Sequence, residues 1–272
     1  MRLLFVYLFA RTVPALVLPL PSTTGELSRQ VAAASVRSIE GGHLRLLVTV
    51  PHRRVLACAH HLVNVLEEQG MPTRVFLNGV AALNTWSHRS GVLQSRCDVL
   101  GLGQVAAADG ALLLVSPCNR PHKQVVTEYI EQTDWKTLQA VQSLLARAYD
   151  RPIIMLNADL EALVLHRHAS RPVRPTFMAD FVHAYYLATR PPSQSSFLVS
   201  ECVAVRRAYP ADWEVFASSN VHSSSSQPLE TILKRCCKSK PYIADTLIEE
   251  GVNAFAGPSK RGRNNVLKRR LV

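Results

Sequence analysis

The chain has 272 residues, of which 47% are hydrophobic and 19% are charged, a composition typical of an ordered globular protein and not of a disordered one. It contains no run of the roughly 18 apolar residues that a membrane-spanning helix needs, so no transmembrane segment is predicted. The formal net charge of +11 comes mostly from the two ends of the chain, so a basic face specific for nucleic acid is not predicted either.

The N-terminal residues 1–40 have the composition of a targeting sequence. Two apolar stretches, at 3–10 and 13–20, precede the first acid, Glu26, and a stretch containing serine and arginine follows them. This pattern predicts that residues 1–40 are a disordered plastid presequence, with ordinary secretion as the competing interpretation. At the other end, six cations and no acid among residues 259–272 predict that residues 257–272 are a basic disordered tail.

Between these ends, residues 43–256 alternate between strand and helix patterns, as in a single α/β domain. Buried strands are predicted from apolar runs at 43–50, 73–79, 97–103, 111–117 and 152–157, and helices from the apolar spacing at 55–68 and 125–148. The alternation predicts a Rossmann-like, mainly parallel sheet of about five strands with helices on both faces. From residue 177 onward, strand patterns with short breaks predict an antiparallel C-terminal extension.

Six segments occur in an order that resembles one protein family. They are LLVTVP, CDVLGLG, ALLLVSP, RPIIMLNADLE, FVHAYYL and VRRAYPADWEVF. Over residues 43–218 the chain resembles the plastid and cyanobacterial family of the domain of unknown function DUF1995, most specifically in the Tyr-Pro-x-x-Trp-x-Val-Phe segment at 209–216. The resemblance implies a chloroplast protein, because members occur beside a chloroplast adenylate kinase or are linked to photosystem II assembly. It implies no catalytic residues, because none are established for the family.

Polar residues follow several of the predicted parallel strands at their carboxyl ends, where open sheets bind ligands. We hypothesise an anion pocket built from His52, Arg53, Asn119, Arg120 and Asn157. Cationic and amide donors, together with the positive end of the helix that starts after His52, suit a phosphate or a carboxylate. The competing interpretation is that these polar loop residues simply face water.

A second cluster consists of Arg206, Tyr209, Trp213 and Phe216. Because large aromatic side chains bury much apolar area, the rings are predicted to pack where the sheet meets its extension. Arg206 is predicted to stack on a ring or to pair with a carboxylate such as Asp180. The alternative is a docking patch for a protein partner, with rigid aromatic anchors and an arginine.

Motifs for nucleotides, metals or disulfides are missing from the sequence. No GxxxxGK[ST] segment occurs, and the first strand is followed by no glycine of the dinucleotide-binding type. The histidine pairs at 60–61 and at 166 and 168 have no acidic or thiol partner at ligand spacing. Cys236 and Cys237 are adjacent in a region, 228–250, that is predicted to contain helical segments. We therefore predict no catalytic residue, no metal and no cofactor.

These features together predict a plastid protein of the stroma or the thylakoid surface that binds other proteins. The predicted function is a non-catalytic binding or assembly factor for the photosynthetic apparatus, with photosystem subunits as the partners and no specific nucleic acid. The alternative is an enzyme or regulator that binds a phosphorylated metabolite or a nucleotide at the strand-end loops.

Overall fold

The structure, a computed structural model, describes residues 19–89, 96–119, 135–162, 174–189, 202–218 and 231–237. The strands are β1 (Arg45–Thr49), β2 (Thr73–Leu77), β3 (Cys97–Val99), β4 (Ala111–Val115), β5 (Ile153–Leu156), β6 (Val182–Thr189), β7 (Cys202–Ala208), β8 (Trp213–Ser218) and β9 (Thr231–Cys237). The helices are α1 (Thr24–Glu40), α2 (Val55–Glu68), α3 (Val80–Arg89) and α4 (Trp135–Arg147). Within this part of the chain no helix is long and apolar enough to cross a bilayer.

All nine strands belong to one sheet, in the order β3-β2-β4-β5-β1-β6-β7-β8-β9. The first six strands in this order are parallel to their neighbours, which confirms that the five predicted strands lie side by side and point the same way. The sixth is β6, which pairs in parallel with β1 on one side and antiparallel with β7 on the other, so it joins the parallel part of the sheet to the predicted antiparallel extension. In this order β1 lies between β5 and β6, whereas a Rossmann sheet places its first strand beside its second. The Rossmann-like connectivity is therefore not confirmed.

Four of the parallel strands, β1, β2, β4 and β5, are buried on both faces, as their continuous apolar runs predict. On one face, Leu46 and Val48 of β1 belong to a core that also contains residues of α1, α2 and α3. On the other face, Leu47 belongs to a separate core with residues of α4 and of the short 3-10 segment Thr176–Asp180. Because neighbouring residues of one strand point to opposite faces, the two cores are distinct, and the prediction of helices on both faces is confirmed.

Helix α1 is part of the folded domain, so the prediction of a disordered presequence over residues 1–40 is wrong for residues 24–40. Leu27 and Val31 of α1 are fully buried in the same core as α2. The helix begins with a capping box, in which the Thr23 hydroxyl accepts from the Glu26 N–H and the Glu26 carboxylate accepts from the Thr23 N–H. Residues 1–18 and the predicted tail at 257–272 lie outside the described residues.

The serines of α1 explain why this helix resembles a presequence. The hydroxyls of Ser35 and Ser38 are buried and donate to the carbonyls of Val31 and Ala34, one turn earlier in the helix. These short side chains satisfy their own polar groups and occupy little space, so they suit a helix face that packs against other elements. The serine content of residues 24–40, which is typical of a transit peptide, therefore contributes to the packing of α1.

The C-terminal part of the sheet is antiparallel, which confirms the predicted extension. Strand β6 pairs with β7, β7 with β8, and β8 with β9, each in antiparallel orientation. Strand β9 lies within the region that was predicted to contain helical segments. That prediction is wrong for residues 231–237, because their backbone pairs along the whole of β8, from Trp213 opposite Cys237 to Ser218 opposite Thr231.

Candidate functional site

The carboxyl ends of β1, β4 and β5 meet at one edge of the sheet, which we call the rim. Strand β5 lies between β4 and β1, so the segments that follow these three strands are neighbours. His52 and Arg53 follow β1, Asn157 follows β5, and Asn119 follows β4. The structure thus places four of the five residues of the predicted anion pocket at the same edge. The fifth, Arg120, lies outside the described residues.

Asn157 uses its side-chain amide to prolong the pairing of β5 with β1. Its Nδ2 donates to the carbonyl of Val50, and its Oδ1 accepts from the N–H of Val50, both at 2.7 Å. Its backbone N–H donates to the carbonyl of Val48, also at 2.7 Å. The φ of Asn157 is 52°, a left-handed conformation that asparagine tolerates better than most residues. The amide therefore replaces the ladder hydrogen bonds at the point where β5 leaves strand geometry.

Asn119 joins the segments that follow β4 and β5 in a similar way. Its Nδ2 donates to the carbonyl of Glu161, and its Oδ1 accepts from the N–H of Glu161, both at 2.8 Å. Beside them, the N–H of Asp159 donates to the carbonyl of Pro117 at 2.9 Å. Only 1% of Asn119 is exposed. This amide is therefore satisfied inside the fold, and its geometry favours loop closure over contact with a dissolved ligand.

His52 and Arg53 are the exposed residues of the predicted pocket. They belong to the 3-10 segment His52–Arg54, which leads directly into α2, and both face solvent. Among the described residues, no side chain caps the start of this segment or of α2. The positive end of the helix dipole is thus directed towards the rim next to two basic side chains. The anion pocket stays a prediction, for which these two residues supply the accessible groups.

Arg206, from the second predicted cluster, is buried beneath the start of α1. Only 1% of Arg206 is exposed, its Nε donates to the carboxylate of Glu214 at 2.6 Å, and its Nη1 donates to the carbonyl of Pro19 at 2.7 Å. The guanidinium carbon lies 5.0 Å from the ring centre of Phe216. The predicted stacking on a ring is therefore present, and the carboxylate partner is Glu214 rather than the suggested Asp180.

The aromatic residues of the second cluster do not form one group. Trp213 lies on the opposite face of the sheet from Phe216, in a small core with Tyr186, whose ring centre is 5.2 Å away. Tyr209 packs edge-on against His43, with the ring centres 5.2 Å apart. A Cβ on Gly41 would lie only 2.6 Å from the hydroxyl of Tyr209, so a larger residue there would displace the Tyr209 side chain. Burial of Trp213 and Phe216 favours packing over docking for this cluster.

Helix α4 presents exposed apolar groups that sequence reasoning missed. Among the described residues, the large hydrophobic side chains that are most exposed are Val80, Leu102, Trp135 and Tyr149, and three of these four lie on or beside α4. Open grooves of about 410 Å³ flank the helix on both sides. We call this region the α4 surface and define it by Leu102, Trp135, Lys136, Gln139, Arg147 and Phe177. The available signal was a leucine between two glycines at 101–103, and the absence of acidic residues from 135–147.

No group of three or more potential metal ligands converges in the part of the chain that the structure describes. Among the cysteines that the structure describes, Cys58 is buried and Cys97 is half-buried. Burial raises the pKa of the Cys58 thiol and that of the Cys97 thiol, which lowers the fraction of reactive thiolate at neutral pH.

Comparison with known proteins identifies a family. The sequence profile of the family described as a domain of unknown function (DUF1995) matches residues 21–235, which include α1 and all nine strands apart from the last two residues of β9. No curated protein and no solved structure matches the chain significantly.

Proposed function

This chain belongs to the DUF1995 family, and from that membership and the geometry of the rim we propose that it is a non-catalytic binding protein. Its role in this proposal is to assist the assembly of the photosynthetic apparatus, with photosystem subunits as its partners. Family membership by itself assigns no activity, so the proposal depends on what the residues of the rim do.

The observation that carries the proposal is the pairing of Asn119 and Asn157 with backbone groups. In an enzyme with an open α/β sheet, polar side chains at the carboxyl ends of the strands reach substrate. Here both amides hydrogen-bond through N and O to the backbone of Glu161 and Val50, and they connect the loops that follow β4, β5 and β1. Side chains used in this way favour a rigid scaffold over a reactive site.

A plastid location is part of the same proposal. It is supported by the apolar and acid-poor character of residues 3–20, which suits a presequence. The carbonyl of Pro19 accepts hydrogen bonds from Arg206 and from Gln30, so removal of a presequence is expected to leave Pro19 in the mature chain. Import of the labelled full chain into isolated plastids, followed by N-terminal sequencing, tests both points. Cleavage at any bond after Pro19, or failure to import, would contradict them.

A second candidate function is the binding of a phosphorylated metabolite or nucleotide at the rim. It is supported by the exposure of His52 and Arg53 beside the start of α2, and by the general rule that open α/β sheets bind ligands at the carboxyl ends of their strands. Titration of the chain with labelled nucleotides and sugar phosphates tests it. Binding that Arg53→Gln weakens would favour this candidate.

Affinity purification of the tagged full chain from isolated plastids tests the proposed function. We expect photosystem II subunits to be enriched over a tag-only control and to stay bound to the Arg53→Gln variant. A chain that recovers no photosystem subunit and copurifies with a nucleotide would contradict the proposal and support the second candidate.

A further inference from the structure

The α4 surface has two concave sides. One groove lies between α4 and the turn at 100–103, and it is lined by Leu102, Ala140 and Arg147 among others. The other lies between α4 and the segment at 175–177, and Trp135 and Phe177 line it. Each measures about 410 Å³, and Gln139 borders both. Grooves of this kind can take up side chains from a bound segment, which a flat surface cannot.

Leu102 is held in its exposed position by a tight turn. Its N–H and that of Gly103 both donate to the carbonyl of Val99, and 78% of Leu102 is exposed. A Cβ on Gly103 would overlap the side chain of Asp98, whose carboxylate is fixed by an ion pair with Arg74 at 2.7 Å. The turn is therefore held in place by its contact with Asp98. When a partner covers an apolar side chain that is held in water, the free energy of the complex is lowered.

Trp135 provides a second apolar anchor at the other end of the surface. It lies at the N-terminal end of the described part of α4, 53% of it is exposed, and it lines the same groove as Phe177. Tryptophan and arginine are the residue types that most often dominate binding energy in protein interfaces. The combination of an exposed tryptophan with Arg147 on one helix is thus typical of a docking face.

The charge of this surface indicates the chemistry of its partner. Arg147 is an exposed cation in the last turn of α4, and the described residues that line the two grooves include no carboxylate. A partner with acidic residues is complementary to this face. A membrane is the weaker match, because lipid-binding sites ordinarily carry clusters of about four to eight cations.

We propose that the α4 surface docks an acidic segment of a protein partner, whose apolar side chains enter the two grooves against Leu102 and Trp135. This inference rests on the proposed binding function and names the surface and the partner chemistry that the function uses.

The test is a selection of random peptides, displayed on phage, against the full-length chain, followed by affinity measurements on the enriched peptides. Leu102→Ser and Arg147→Gln change the proposed surface. The matched controls are Val80→Ser and Arg29→Gln, which remove an exposed apolar side chain and an exposed charge on the opposite face of the sheet. Circular dichroism and unfolding curves establish that each variant is folded. Vesicles of phosphatidylglycerol and phosphatidylcholine in equal parts form a parallel arm.

We expect the enriched peptides to be acidic and to carry at least one leucine or aromatic residue. Leu102→Ser and Arg147→Gln should each weaken their binding by about tenfold or more, as for the central residues of an interface, whereas both controls bind like the unchanged chain. Changing the carboxylates of a peptide to amides should weaken binding as well.

Other results would overturn the inference in distinguishable ways. Enriched peptides without net negative charge, or affinities unaffected at Leu102 and Arg147, would exclude this surface. Peptides that lose affinity with Val80→Ser or Arg29→Gln instead would place docking on the opposite face of the sheet and leave the proposed binding function intact. Vesicle binding lost with Leu102→Ser, without any enriched peptide, would make this a membrane site. Nucleotide binding without any enriched peptide would overturn both the inference and the proposed function.

Discussion

The rim and the α4 surface differ in what their side chains are bound to. At the rim, Asn119 and Asn157 are hydrogen-bonded to backbone of neighbouring segments, so they serve the fold. On the α4 surface, Leu102 and Trp135 face solvent, where they contribute little to the stability of the domain. Substitution of a residue that is hydrogen-bonded within the fold should lower the free energy of unfolding. Substitution of an exposed residue of the α4 surface should weaken binding only.

The largest loss of stability is expected at Arg206, a buried charged residue whose side chain bonds to both Glu214 and Pro19. Arg206→Met leaves the buried carboxylate of Glu214 without its ion-pair partner. Removing one member of a buried pair costs about 3–5 kcal/mol in the free energy of unfolding, because the remaining charge stays buried. Urea unfolding of the variant measures this loss.

The matched control removes both charges. Arg206→Met combined with Glu214→Leu should regain most of the lost stability, because no unpaired charge is then left in the core. If the single variant cost less than about 1 kcal/mol, the Arg206 to Glu214 contact would not be a structural one.

A smaller loss is expected at the rim. Asn157→Gly removes the amide that pairs with Val50 but tolerates the positive φ of this position, so it isolates the two hydrogen bonds. Leaving both backbone groups of Val50 without protein partners should cost about 1–3 kcal/mol. Asn157→Asp keeps the acceptor and loses the donor, so its free energy of unfolding should lie between those of the unchanged chain and Asn157→Gly. An unchanged unfolding curve for Asn157→Gly would mean that this amide does not stabilise the fold. The difference drawn here between the rim and the α4 surface would then be wrong.

The capping box of α1 should contribute less again. Thr23→Ala removes the acceptor of the Glu26 N–H and should cost about 1 kcal/mol. Because α1 packs on the sheet, the loss should appear in global unfolding and not only as local fraying. Hydrogen exchange in the first turn of α1 separates the two, and local fraying alone would place the helix outside the cooperative core.

The pH dependence of stability tests the capping box of α1 independently. Hydrogen bonds from the hydroxyl and the N–H of Ser22, and from the N–H of Thr23, lower the pKa of Glu26. Since the folded-state pKa lies below the unfolded value, ionised Glu26 stabilises the fold above the unfolded pKa, and this contribution is lost as the pH falls through the folded value. The stability difference between the unchanged chain and Glu26→Gln should therefore shrink on acidification. A difference that does not change with pH would contradict the capping role.

The smallest effect is expected on the α4 surface. Leu102→Ser replaces a side chain that is already in water, so the free energy of unfolding should change by no more than about 0.5 kcal/mol. Calorimetry or urea unfolding measures this. A loss comparable to that of Asn157→Gly would mean that Leu102 belongs to the fold, and the distinction between the two surfaces would fail.

Five of the six parallel strands were predictable from local sequence, because each lies in an apolar run. The helix at 55–68 was predicted with the bounds that α2 has, since Val55, Leu62 and Leu66 recur at helical spacing. The direction of β6 was not predictable, because a strand pattern contains no information about its neighbour, which here is β1. Strand β9 was missed because TILKRCC lacks a clear alternation of apolar and polar residues.

The rim could be located from the sequence, but the role of its residues could not. That Asn119 and Asn157 follow strands is visible in the sequence, and it is typical of ligand sites and of loop closure alike. Their partners, Glu161 and Val50, are 42 and 107 residues away in the chain, so only the folded arrangement brings them within hydrogen-bonding distance. Helix α1 was misread because its buried serines have the composition of a transit peptide.

The central claim, that this protein acts by binding through the α4 surface, is tested most directly by quenching of tryptophan fluorescence. Of the three tryptophans, Trp86 and Trp213 are each only 1% exposed, whereas 53% of Trp135 is exposed, so acrylamide should quench mainly Trp135. Saturation with an acidic peptide selected on the full chain should reduce this quenching and shift the emission to shorter wavelength, and Trp135→Phe should abolish the change. Quenching that stays the same at saturation would show that the peptide binds elsewhere and would contradict the claim.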